Sequence, residues 1–193
     1  MVPRYDVRMY GRRLVRMLLD AKKVAFSGLL VALSVVLMML SSVVETSSLF
    51  FIAAASFCVG IAIREWNLLW GVGFYIASVL LNFLLAPNKM YCITLAAMGL
   101  YLLLTEWLWK KIAEAEKMAN RKLKLWIGKY IIFNLIYIPI IWFMPNLFLT
   151  KEVSQTMMIA LWAAGQAALF IYDCAYRYFQ GTIWGKIRTK RNF

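Results

Sequence analysis

Histidine is absent from the 193 residues, and acidic side chains are scarce, with 9 Asp and Glu against 22 Lys and Arg. Without imidazole the commonest metal ligand and the usual neutral-pH proton carrier are missing. That sets aside a zinc peptidase, a haem protein and a hydrolase built on a Ser–His relay. The chain also lacks a GxxxxGK[ST] phosphate loop, a GxSxG nucleophile elbow and a DxxD-like pair of acids for metal-assisted phosphotransfer. No catalytic constellation is left, so the expectation is a protein that is not an enzyme and uses no cofactor or metal.

Cysteine is equally sparse. Cys58, Cys92 and Cys174 are widely separated inside apolar segments and form no CxxC pair. They read as small core residues with no disulfide or redox role. No repeat or low-complexity segment is present.

What the chain does have is apolar mass. Residues of the set AVILMFWYC make up 63% and charged residues only 16%, with a mean hydropathy of +0.70. Soluble domains carry about 45–50% apolar and about 25% charged residues, and a single water-soluble core of this length could not hide the surplus. A polytopic membrane protein is implied. Uncharged stretches delimit the spans: 24–44 ends at Glu45, 46–63 at Arg64 and Glu65, and 66–88 at Lys89. The next, 90–109, is interrupted by Glu106 and reaches Lys110; 130–150 ends at Lys151, and 153–176 takes in Asp173. Each has about the length needed to cross a hydrocarbon core, where an isolated segment must be helical to pair its own amides. The predicted fold is an all-α bundle of six transmembrane helices. The second span, opening on Thr46, Ser47 and Ser48, reads as short, little tilted or partly re-entrant.

The net charge of +13 lies between the spans rather than on one face, which argues for topology control and attraction to anionic lipid, and against a nucleic-acid partner. Basic residues cluster in 1–23, at Arg64, in 110–129 and after the sixth span, leaving Lys89 and Lys151 for the other side. By the positive-inside rule both termini are cytosolic, which six crossings satisfy. The expected organisation is a basic amphipathic segment at 1–23 on the inner leaflet, a six-helix domain at 24–180 with a cytosolic connector at 110–129, and a basic cytosolic tail at 181–193. The first segment does not read as a cleaved secretory signal.

Two sets of residues stand out. Ala21, Ala25, Gly28 and Ala32 share one face of the first helix. Such a face suits either docking of a partner or tight packing within the bundle. On the outward side, Glu45, Asn82, Asn88, Lys89, Tyr91, Trp142 and Asn146 lie in or beside the loops around Pro87 and Pro145. They are the candidate walls of an outward-opening pocket, with Lys89 pairing an anionic group, the amides orienting the ligand and the aromatics covering an apolar ring. Asn134 and Gln166 read as interhelical glue or as further pocket groups. Asp173 with Arg177, and Arg64 with Glu65, read as local ion pairs rather than a proton path, and Pro139 should kink the fifth span.

The stretches AKKVAFSGLLVALSVVLMMLSS (21–42) and LLAPNKMYCITLAAMGLYLLL (84–104), with the short second and third spans, resemble bacterial energy-coupling-factor (ECF) transporter substrate-binding components, the S-components. The similarity is to a Firmicutes subgroup with an ALSVVL start and a P-[ND]-K turn, and it spans residues 21–180. It implies a subunit of the bacterial cytoplasmic membrane that captures a vitamin, its precursor or another small molecule from outside. Such a subunit docks, through Ala25, Gly28 and Ala32, onto a transmembrane coupling protein bound to two ATPases. The missing histidine-rich N-terminus argues against cobalt or nickel uptake. The rival reading is a structural protein of envelope assembly, similar to rod-shape proteins of the MreD type; an enclosed cavity under the outer loops favours the binding subunit, and a bundle packed solid there, with no void near Asn82 or Lys89, favours the scaffold. A channel or proton-driven carrier would need acids near the midplane.

Overall fold

Helix formation follows from the apolar composition, since a chain surrounded by lipid satisfies its backbone polar groups only internally. The computed structural model describes residues 7–115, 121–143 and 155–191, all but the connecting turns helical, with no strand among them. In chain order the helices are α1 (Val7–Val43), α2 (Ser48–Glu65), α3 (Leu68–Leu85), α4 (Lys89–Ala115), α5 (Arg121–Phe143), α6 (Gln155–Tyr178) and α7 (Gly185–Arg191). A 3-10 turn, Glu45–Ser47, precedes α2, and a π-helical stretch, Phe179–Trp184, joins α6 to α7. Six of these helices are long and apolar enough to cross a membrane. Large apolar side chains such as Leu29, Leu69, Leu84, Leu135 and Ile171 point outward, as they do when the solvent is lipid.

Several boundaries differ from those drawn at charges. No Gly or Pro lies between Arg12 and Ser27, so α1 runs unbroken past residue 23. The connector 110–129 is divided: its first part extends α4 to Ala115, and its last part opens α5 at Arg121. The second span is one continuous helix of 18 residues, about 27 Å long at ~1.5 Å per residue. Pro139 lies inside α5, which continues to Phe143. Within the 181–193 tail, Trp184 is buried against the core and donates from Nε1 to Glu65 at 3.0 Å.

The centre of the bundle is α2, whose buried face holds Ile52, Ala55, Ser56 and Cys58 through Ile63. Small residues let its neighbours close in: a Cβ at Gly60 would overlap the Tyr176 ring of α6. Toward one end, Met38, Ile52, Ala86, Cys92 and Leu95 form one apolar cluster, while Leu30, Val59, Ile63, Phe74 and Trp184 form another at the opposite end. This second end also gathers Arg64, Lys110, Lys111, Lys129, Arg177 and Lys186, and is called the basic end below. Cys58 and Cys92 are buried and Cys174 partly so, all as free thiols.

Candidate ligand cavity and partner face

Aromatic and small residues meet where α4, α5 and α6 diverge, and leave a partly open cavity of about 270 Å³. From α4 it is lined by Thr94, Ala97, Met98 and Tyr101, and from α5 by Phe133, Ile136, Tyr137 and Ile140. Leu161, Ala164, Gly165, Ala168, Leu169 and Tyr172 of α6 complete the wall, with Leu49 of α2 at the rim. The cavity lies in the half of the bundle away from the basic end. Its wall depends on Gly165, where a Cβ would collide with the Tyr137 ring. Tyr137 therefore crosses α6 and donates its hydroxyl to the Leu161 carbonyl at 3.0 Å, while stacking on Phe133 with centroids 4.8 Å apart. Tyr172 closes the floor, its hydroxyl sharing a hydrogen bond of 2.7 Å with Ser56. Left as a void, such a space would cost several kcal/mol at ~24 cal/mol per Å³.

Of the residues singled out from the outward loops, the described ones, Asn82, Asn88, Lys89, Tyr91 and Trp142, do not line this cavity. Asn82 is 1% exposed and belongs to an interhelical polar cluster. Its Nδ2 donates to Ser34 Oγ at 3.0 Å and to the Ser78 carbonyl at 2.8 Å, and the two serine hydroxyls are 3.0 Å apart. A buried amide inside a bundle takes the nearest hydroxyls rather than a distant loop. Asn88 is exposed and accepts from the Met90 amide at 3.0 Å, starting α4. Lys89 donates to the Phe83 carbonyl and lies over the Phe83 ring at 5.0 Å, capping the end of α3. Tyr91 packs beside the Met38–Leu95 cluster, and Trp142 is 73% exposed. The Glu45 side chain and Asn146 lie outside the described residues. Asn134 and Gln166 tie α5 to α6: Asn134 Oδ1 accepts from Gln166 at 3.0 Å and from Trp162 at 3.2 Å.

On α1 the small residues take the other side from the core. Leu30, Ser34, Met38 and Ser41 are buried, whereas Ala21, Ala25, Gly28 and Ala32 are exposed. A Cβ added at Gly28 would meet nothing within 4 Å. Packing within the bundle therefore does not account for this face.

The ion pairs of Arg64, Lys129 and Arg177 sit at the basic end, and one pairing differs from expectation. Arg64 does not pair with its chain neighbour Glu65; it donates from Nε and Nη2 to Glu106 Oε1 of α4 at 2.8 and 2.6 Å. Tyr176 donates to the same oxygen at 2.8 Å. A residue one step along a helix points about 100° away, so a carboxylate on a facing helix is the better placed partner. Asp173 has the expected ion pair with Arg177 at 3.1 Å and a second with Lys129 of α5 at 2.5 Å. Asp173 thus joins two helices, and Glu106 three.

Missed in the sequence were the cavity wall, Lys129 as a partner of Asp173, and Glu106 as a hub. The signal for the wall is present: Phe133 and Tyr137 are four residues apart on α5, and Ala164, Gly165 and Ala168 give α6 a small-residue face.

Fold and surface define a multi-pass α-helical membrane protein. No protein-family model, curated protein or solved structure matches the chain.

Proposed function

We propose that this chain is the membrane-embedded binding subunit of an importer, similar to the S-components of ECF transporters and working in a bacterial cytoplasmic membrane. The basic end faces the cytosol in this reading, with both termini there, and anionic lipid surrounds it. The cavity between α4, α5 and α6 then opens toward the outside. A small molecule enters it, and the exposed face of α1 docks on a coupling protein that is driven by ATPases. The observation that carries the proposal is the cavity itself. Its size is close to the lower end of ligand pockets, which span about 300–1,000 Å³. A scaffold of envelope assembly, the rival reading, is favoured by solid packing around Asn82, which is buried against Ser34 and Ser78; the hollow lies instead between α4, α5 and α6, where a scaffold has no use for it and a well-packed interior would be more stable.

Native mass spectrometry of protein purified from its own host in mild detergent tests the reading. One small molecule should be retained per chain, and Ala97→Phe, which places a ring in the cavity, should remove it. A wild-type protein that carries no adduct in any mild detergent contradicts binding. So does an adduct unaffected by Ala97→Phe.

A further inference from the structure

We infer that the cavity takes an uncharged, predominantly apolar molecule and rejects anions; the inference rests on the binding reading above and names the ligand class. None of the described lining residues is ionisable at neutral pH. Two of the three tyrosine hydroxyls in the wall are committed, Tyr137 to the Leu161 carbonyl and Tyr172 to Ser56, while the buried Tyr101 hydroxyl has no hydrogen-bond partner among the described residues and could meet at most one polar atom of a neutral ligand. Three described cations of the cavity helices are also engaged. Lys129 and Arg177 pair with Asp173 beyond the floor, and Lys89 is held at the end of α3. A carboxylate or sulfonate entering this space would lose its water and gain no counter-charge, which strongly disfavours the charged form. An apolar body instead meets Phe133, Tyr137, Tyr101 and Met98, whose rings and thioether offer face, edge and sulfur contacts.

Two fluorescent probes with one ring skeleton separate charge from shape. N-phenyl-1-naphthylamine is neutral, and 8-anilinonaphthalene-1-sulfonate carries an added anion. Each is titrated against the protein in nanodiscs, with empty nanodiscs subtracted. The neutral probe should bind saturably, one per chain and at least about tenfold tighter than the sulfonate. Ala97→Phe from α4 and Ala168→Phe from α6 should each weaken it by about tenfold or more. Two fillers from different helices guard against one that fails to fold.

Equal or tighter sulfonate binding, lost in both variants, overturns the ligand class and leaves the binding reading standing. Absence of saturable neutral binding also overturns the class. If the native mass spectra are then empty as well, the binding reading falls with it. A filler-sensitive adduct of phospholipid mass supports the apolar chemistry but assigns it to a lipid chain, and so contradicts import. A lighter neutral adduct supports both.

Discussion

Replacing Asp173 with alanine is expected to destabilise the protein by about 3–5 kcal/mol, the usual cost of stranding a buried charge. The Asp173 side chain is 2% exposed and that of Lys129 only 13%. Deleting the carboxylate leaves the ammonium at the seam between α5 and α6 with no ionic partner there. Arg177 suffers less, because its side chain is 49% exposed and lies over the Trp126 ring. The double substitution Lys129→Met with Asp173→Leu should return most of the loss, since replacing both charges by apolar groups removes two desolvation penalties together. Thermal and denaturant unfolding of detergent-solubilised protein measures both effects. A change under about 1 kcal/mol for Asp173→Ala, the value typical of exposed pairs, would contradict a buried bridge.

The second large effect concerns association rather than stability. Ala25→Leu with Gly28→Leu should leave unfolding within about 0.5 kcal/mol of wild type, as expected for surface positions. On this face of α1, Ala21, Ala25 and Ala32 are exposed, and a Cβ at Gly28 would meet nothing within 4 Å among the described residues. In the same variant, co-purification with a tagged coupling protein should fall about tenfold or more, because bulky side chains keep a second helix from close approach. Undiminished capture would remove the docking face from the account. A large loss of stability would show that the face is packed after all.

The six helices were legible because lipid imposes a simple rule: uncharged stretches of about 20 residues, fenced by charges. The exact fences were not. Lys110 and Lys111 sit on a helix that continues to Ala115, because lysine is a good helix former and its long stem reaches the membrane surface. Pairings between helices were less visible. Arg64 beside Glu65 invites a local bridge, yet which helix faces Arg64 is decided by packing around Gly60 and Tyr176. The pocket expectation went to polar residues near loops; of these, Asn88 and Lys89 cap helix ends and Asn82 fastens helices together. Asn82 illustrates why: inside an apolar bundle an amide is satisfied by the nearest hydroxyls, here Ser34 and Ser78. The described cavity wall is built mostly from alanine, leucine, isoleucine and tyrosine. Those residue types are common in any membrane helix, and the hollow shows only in how α4, α5 and α6 meet, with Tyr137 seated over Gly165.

The account depends above all on which way the bundle faces. With Cys58, Cys92 and Cys174 replaced by alanine, single cysteines at the exposed positions Asn88 and Lys111 report its two ends to a membrane-impermeant maleimide. Asn88→Cys should be labelled in intact cells, and Lys111→Cys only after permeabilisation. Labelling of Lys111→Cys from outside, or of both positions from one side, would contradict the account.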